Sequence, residues 1–197
     1  MFTILRIDAH ATADRMPTEY AALAASGRTD VVLKQADAET PEQLVAAAQE
    51  ADVLLTDCAM LTGAVLQQLP RCRAIIRYGV GYDTVDVATA SKCGIAVVNV
   101  PDFCNEEVSN HVMMFLLAAA KKLKPLDALV RQGQWAQAKA MQRPMGSIHG
   151  ETLGIIGCGN LGRSVAVKAH AFGMPVIGYS PHTPQPLLNA AGIRAVG

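Results

Sequence analysis

The chain has 197 residues, of which 51% are apolar, 17% charged and 5% aromatic, and its formal net charge is zero. That length holds one large or two small domains, and such an apolar-rich balance suits parallel sheets covered on both faces. With no basic run and no aromatic-interleaved patch there is no case for nucleic acid, and no apolar run approaches the roughly 18 residues of a membrane-spanning helix. In chain order, Thr3–Ile7 is a short apolar strand ending at Asp8. The leading MFTILRIDAH has too short an apolar stretch, and too early a charge, for a signal peptide. Residues 17–26 suit a helix, and Asp30–Leu33 a second strand. Thr40-Pro41-Glu42-Gln43 is a compact helix start: a threonine cap, proline at the first helical position, and glutamine placed to close a capping box. That helix runs to about Glu50. Val53–Thr56 is a strand, Ala64–Leu69 a short helix ended by Pro70, and Ala74–Arg77 a strand. Val85–Lys92 is helical with Gly94 as its stop, and Ile95–Asn99 is a strand. Strands separated by helix-sized segments predict βαβ units and a parallel sheet. Residues 1–100 are therefore expected to form a flavodoxin-like α/β domain.

The longest helix is expected from Asn105 to about Lys124. Val108, Val112, Phe115, Leu116, Ala119 and Leu123 recur at three- and four-residue spacing as one apolar stripe. Asn105 can cap it, Glu106 and Glu107 suit its positive end, Lys121, Lys122 and Lys124 suit its negative end, and Pro125 stops it. Such a helix is a natural bridge into a second domain over residues 101–197. Gln132–Gly150, polar and containing the single tryptophan, Trp135, is expected to be a surface connection.

Thr152–Gly162 reads TLGIIGCGNLG. An apolar run, Leu153–Ile156, breaks into Gly157, Gly159 and Gly162, and a helix-compatible segment follows from Arg163 to Phe172. A dinucleotide pyrophosphate needs a strand, a tight turn, closely approaching backbone and a helix N-terminus facing the anion. Gly157 would make the turn, Gly159 would leave room for the pyrophosphate, and Gly162 would let helix and strand pack closely. Cys158, Asn160 and Leu161 complete the loop. The alternative is an ordinary glycine-rich turn between strand and helix. Pro175–Tyr179 is the next strand. Only 35 residues follow Gly162, so the dinucleotide domain is expected to be represented by its first half. In that arrangement Leu153–Ile156 becomes a sheet edge, which favours self-association.

The five cysteines, Cys58, Cys72, Cys93, Cys104 and Cys158, are an odd count without a CxxC pair. They read as buried free thiols in a reducing, cytoplasmic setting, with no metal site expected. His111, His149, His170 and His182 have no carboxylate at a spacing that suggests a catalytic pair, and each reads as an ordinary helix or loop residue.

Three blocks, RYGVGYDTVD at Arg77–Asp86, GIAVVNVPDFCNEEV at Gly94–Val108 and TLGIIGCGNLGRSVA at Thr152–Ala166, together resemble the D-isomer-specific 2-hydroxyacid dehydrogenases. The C-terminal-binding-protein-like branch is the most similar. The likeness is good from Ala51 to Pro181 and general over Met1–Glu50. It implies a substrate domain and a nicotinamide-coenzyme domain with the active site in the cleft between them. It also implies hydride transfer to or from C2 of a small 2-hydroxy or 2-oxo acid, and a homodimer. The residues matching Val80 and Gly81 approach the substrate carboxylate and coenzyme through their backbone, and Val80 counts for both. Arg77 could add a charge-assisted contact to that carboxylate; its bland reading is a solvated residue before a turn.

The sequence departs from the family in two ways. The family's catalytic arginine, glutamate and histidine belong to later strands and loops with no counterpart here, so no catalytic residue is assigned. After Pro175–Tyr179 an acidic residue usually binds the ribose hydroxyls, whereas here Ser180 follows. NAD is the coenzyme the resemblance implies, and Ser180 leaves NADP possible. A non-catalytic dinucleotide-binding or interaction protein, or an inactive remnant, is the rival reading.

Overall fold

Strand Val53–Thr56 (β3) is apolar almost throughout because both of its faces are covered. Leu54 belongs to one hydrophobic cluster and Leu55 to another. The same alternation puts Leu5 and Ile75 with Leu54, and Ile4 and Ile76 with Leu55, as the two-residue period of a strand requires. The computed structural model describes residues 1–8 and 16–197. It divides into two units, Met1–Phe103 and Cys104–Gly197.

In the first unit the remaining strands are Phe2–Ile7 (β1), Val31–Ala36 (β2), Ala74–Arg77 (β4) and Ala96–Val98 (β5). All neighbours pair in parallel, in the order β2-β1-β3-β4-β5, which is the flavodoxin-like order. The helices are Pro17–Ala25 (α1), Pro41–Ala48 (α2), Gly63–Leu66 (α3) and Val87–Lys92 (α4). Leu44 and Val45 of α2, Val65 and Leu66 of α3 and Ala90 of α4 fill the cluster around Leu54. Leu23 of α1 packs on the opposite cluster with Met16 and Leu33. Each fully buried aliphatic side chain here is worth about 1.5–3 kcal/mol. The expected capping box forms: Thr40 accepts from the Gln43 N–H at 3.3 Å, and Gln43 accepts from the Thr40 N–H at 3.3 Å.

The second unit contains Asn105–Ala120 (α5), Leu123–Arg131 (α6), Trp135–Met141 (α7), Leu153–Ile156 (β6), Asn160–Ala171 (α8), Val176–Tyr179 (β7), Gln185–Ala190 (α9) and Ile193–Ala195 (β8). Its sheet is parallel with the order β6-β7-β8, the first three strands of a dinucleotide-binding sheet, and β6 is an edge. Ala166 and Ala169 of α8, Leu188 of α9 and Leu116 of α5 pack around Val176 and Ile193.

Five sequence expectations are corrected. The long helix does not continue to Lys124: it ends at Ala120, and Lys122 takes a left-handed φ of 52°. There the Lys121 and Lys122 ammonium groups donate to the carbonyls of Gly146 and Met141, at 3.0 and 2.9 Å. Pro125 lies in the first turn of α6, where a missing N–H costs no helical bond, so it starts a helix rather than stopping one. Cys104, not Asn105, occupies the cap position of α5. The segment expected to be a surface connection holds α7, whose Trp-Ala-Gln-Ala-Lys-Ala-Met sequence is rich in helix formers. The cysteines are all free, but only Cys72 and Cys158 are buried; Cys58 and Cys93 are exposed.

Candidate functional site

The glycine loop is built by three separate backbone demands. The Gly157 N–H donates to the Tyr179 carbonyl at 2.9 Å, which extends the β6–β7 pairing by one residue. Gly157 then turns with φ of +88°, a conformation that side chains other than glycine's rarely adopt. Helix α8 starts directly afterwards, at Asn160 rather than Arg163, with Gly159 as its cap residue and no side chain capping it. A Cβ on Gly162 would lie 2.3 Å from the Gly157 carbonyl oxygen and 3.3 Å from Ile155 Cγ2, so only glycine lets the first turn of α8 sit this close to the strand. A Cβ on Gly159 would meet no protein atom within 4 Å. That glycine is not required by the chain's own packing, and the space above it is open to a ligand.

Among the described residues, the N–H groups of Leu161 and Gly162 find no protein acceptor, as expected in an uncapped first turn. Together with the helix dipole they can seat an anion. Arg163 braces it, donating to the Cys158 carbonyl at 3.2 Å and to Asn160 Oδ1 at 2.7 Å. The Cys158 side chain points into the core, where burial raises its pKa and keeps the thiol neutral, so only its backbone borders the loop. Ser180 follows β7, 2.8 Å from the Thr183 hydroxyl, which donates to the same Cys158 carbonyl at 3.2 Å. Loop and strand-end turn are thus tied together, and the donor set and the open cradle fit a dinucleotide pyrophosphate.

Arg163 and Thr183 were missed by sequence reasoning. The available signals were a basic residue directly after the last glycine and a hydroxyl three residues beyond Ser180.

In the first unit, Arg77 ends β4 opposite Thr56, so it emerges beside the residue that follows β3. That residue is Asp57, and Arg77 Nη1 donates to its carboxylate at 2.5 Å. The guanidinium is 15% exposed and folds against Gly79, where a Cβ would come 3.0 Å from Nη1. Arg77 is therefore neither solvated nor an unpaired cation. It is neutralised by Asp57 and props the loop that follows.

That loop is braced from its far side: the Val100 N–H donates to the Gly79 carbonyl at 3.1 Å and the Asn99 side chain to the Val80 carbonyl at 2.8 Å. Among the described residues, the N–H groups of Val80 and Gly81 donate to no protein acceptor. A Cβ on Gly81 would make only an ordinary 3.5 Å contact with Asp83. Two unpaired amides on a braced turn can hold a carboxylate.

Beneath this loop, buried Asp8 accepts from the N–H groups of Asp57 and Cys58, both at 2.8 Å, and from the Thr56 hydroxyl at 3.0 Å. It fixes the turn that carries Asp57. Tyr78 lies behind, its pKa pushed up by burial and by the hydrogen bond it donates to Glu19 at 2.5 Å.

The histidines do other work. His111 packs edge-on against Phe115, and His170 sits between the carbonyls of Met174 and Ala191, at 3.1 and 3.2 Å. An apolar groove of about 700 Å³ runs between α5, α6 and α8, lined by Met113, Met114, Leu117, Leu123 and Phe172. It lies toward the C-terminal end of α8, from Lys168 onward, about 9 Å or more along the helix from Gly162, and is separate from the glycine loop.

Residues 11–180 match the family model described as D-isomer specific 2-hydroxyacid dehydrogenase, catalytic domain. The chain is 36% identical over 158 residues to D-3-phosphoglycerate dehydrogenase of Methanocaldococcus jannaschii, covering 80% of this chain and 30% of that protein. It is 35% identical over 144 residues to glyoxylate reductase of Thermococcus gammatolerans, covering 71% of this chain and 43% of that one. Among solved structures it is similar to D-lactate dehydrogenase from Aquifex aeolicus, complexed with NAD and lactic acid, with a TM-score of 0.79 at 25% identity. That alignment covers 98% of this chain and 56% of the other. The chain thus spans less than half the length of both curated relatives.

Proposed function

The chain belongs to the D-isomer-specific 2-hydroxyacid dehydrogenase family, and on that premise we propose that it binds a nicotinamide dinucleotide at the glycine loop and a 2-hydroxy or 2-oxo acid at the Val80–Gly81 turn. The carrying observation is the loop's geometry. Gly157 is held at φ +88°, Gly162 is pressed to 2.3 Å in Cβ terms against the Gly157 carbonyl, and Gly159 opens onto empty space. The three sites at which glycine stands have three different reasons for it, and the third is a reason only if something else fills the gap.

In this reading the first-turn amides of α8, with the backbone of Cys158, Asn160 and Leu161, hold the pyrophosphate, and Ser180 faces the adenosine ribose. The N–H groups of Val80 and Gly81 hold the acid's carboxylate, and Val80 also borders the coenzyme. Arg77 acts on the acid through Asp57 and Gly79, by stiffening the turn. The nicotinamide ring supplies the hydride exchanged with C2 of the acid. Reduction of a carbonyl also needs a proton donor at the developing alkoxide. Among the described residues, His111, His149, His170 and His182 contact no carboxylate, and none is assigned that role. In this reading the described residues hold coenzyme and acid without rapid turnover. Ile156 on the edge strand β6, with exposed Phe115, Leu123 and Trp135 on α5, α6 and α7, supports self-association.

Coenzyme fluorescence during titration with NADH, run beside a turnover assay on glyoxylate and hydroxypyruvate, tests this. Saturable binding with little or no turnover is the expected result. Fast turnover would contradict the missing proton donor, and absence of binding would contradict the whole reading. The exposed apolar helices also favour a second reading, a dinucleotide-responsive interaction protein. It predicts that NADH changes the chain's association state.

A further inference from the structure

We propose that Asn99 is a positioning residue for the acid: by holding the Val80 carbonyl it aims the Gly81 N–H at the carboxylate. This rests on the reading of the Val80–Gly81 turn given above. The Val80 carbonyl and the Gly81 N–H belong to one peptide unit, and the Gly79 carbonyl and the Val80 N–H to the one before it. Each unit is a rigid plane whose C=O and N–H point in opposite directions, so whatever fixes the carbonyl also fixes the amide. Asn99 Nδ2 donates to the Val80 carbonyl at 2.8 Å, and the Val100 N–H donates to the Gly79 carbonyl at 3.1 Å. The two donors are consecutive residues directly after β5. Both carbonyls are thus drawn toward the end of that strand, and both N–H groups leave on the side away from it. Two successive amides turned the same way form the concave arrangement that binds an anion.

The turn depends on these braces because its other anchors lie at its ends. Before it, the Tyr78 N–H donates to the Thr56 carbonyl at 2.9 Å, continuing the β3–β4 pairing. After it, the Leu61 N–H donates to the Thr84 carbonyl at 2.8 Å, and the Asp86 N–H to the Leu61 carbonyl at 3.0 Å. Among the described residues, the backbone of Gly79, Val80 and Gly81 is tied to the rest of the chain by the bonds from Asn99 and Val100 alone. Val100 contributes a main-chain N–H, which any residue but proline supplies. Asn99 contributes a side chain, so the second brace depends on which residue stands there. Its amide donates without carrying a charge, and it acts on the acid through the Val80 peptide rather than by attracting it. A hydrogen bond accepted by that carbonyl also polarises the peptide and strengthens the Gly81 N–H as a donor.

Titration of the 197-residue chain with oxamate, a carboxylate of the 2-oxo type that accepts no hydride, tests this in ¹H–¹⁵N spectra of the wild type and of Asn99→Leu. Leucine keeps the size of the side chain and removes its donor. In the wild type the Val80 and Gly81 N–H signals are expected to shift saturably. The Asn99 side-chain NH₂ signals are expected to follow the same binding curve, since a carboxylate at the Gly81 N–H polarises the peptide that Asn99 holds. A residue that only stabilised the fold would not report the ligand. N99L is expected to melt within a few degrees of wild type and to bind oxamate roughly fivefold more weakly. Asn99 signals that stay fixed while Val80 and Gly81 saturate overturn the inference, as does N99L affinity within twofold of wild type. The wild-type spectra need no variant, so a poorly folding N99L does not protect the proposal. Either of those results leaves the reading of the turn standing, whereas Val80 and Gly81 signals that ignore oxamate remove both.

Discussion

Gly159→Ala and Gly162→Ala differ by one methyl group each, and the structure predicts opposite consequences. Gly159 has φ −67° and ψ −160°, which alanine adopts freely, and its added Cβ would touch nothing in the chain. The stability cost is limited to replacing glycine by alanine at a helix cap, about 0.5–1 kcal/mol. At Gly162 the added Cβ would lie 2.3 Å from the Gly157 carbonyl oxygen, a backbone atom that cannot rotate away. Restoring an ordinary contact moves α8 off the strand by about 1 Å. Overpacking of this kind costs about 1–3 kcal/mol, offset by about 1 kcal/mol of better helix propensity. Urea unfolding should therefore separate them, with G162A clearly destabilised and G159A close to wild type. Binding should reverse the ranking of interest: G159A, although folded, should hold NADH roughly 5–150-fold more weakly, because its methyl occupies pyrophosphate space. A G159A chain that binds NADH within twofold of wild type would refute the reasoning, since the open volume above that glycine would then not be the ligand's.

Asp8→Ala leaves the N–H groups of Asp57 and Cys58 and the Thr56 hydroxyl without their acceptor, and should lower unfolding free energy by about 2–4 kcal/mol in urea melts, against less than 1 for an exposed aspartate such as Asp127. Burial pushes the Cys72 thiol up to about 11 from an ordinary value of 9.0. The folded state then holds this proton more tightly than the unfolded one, so stability is full below about pH 9 and falls between about pH 9 and 11, by on the order of 2 kcal/mol. Cys72→Ala should flatten that part of a stability–pH curve, and an unchanged slope would show the thiol is not responsible. Ile156 is 91% exposed on the edge strand β6, so Ile156→Lys should leave the melting midpoint within a degree or two and shift sedimentation toward smaller species. Unaltered association would place the contact elsewhere.

The parts of this fold legible in the sequence are those written in local chemistry. Val53–Thr56, Ala74–Arg77 and Leu153–Ile156 are strands to the residue, because each is a short apolar run closed by a turn or cap signal. Thr40, Pro41 and Gln43 act within four residues of one another and read correctly. The break after Ala120 was hidden, since the apolar spacing carries on through Leu123 and the lysine bonds that stabilise the break reach residues 19 and 25 positions away. Helix α7 was hidden by its polar flanks, although its alanine-rich sequence favours a helix. At the candidate site the glycine loop was legible because Gly157 and Gly162 answer backbone demands that only glycine meets. The Arg77–Asp57 pair was not: the two stand 20 residues apart, and only the parallel register that sets Thr56 opposite Arg77 brings them together. Thr183 and the Cys158 carbonyl, 25 residues apart, meet for the same kind of reason.

The backbone amides from Gly157 to Gly162 are proposed to receive a dinucleotide. Amide-resolved ¹H–¹⁵N spectra of the chain, recorded while NADH or NADPH is added, address those atoms one by one. Saturable shifts are expected, centred on Gly157, Gly159, Leu161 and Gly162 and spreading to Ser180 and Thr183. Signals of that loop that stay fixed while coenzyme saturates, or shifts gathered instead around the apolar groove of α5 and Phe172, would contradict the proposal.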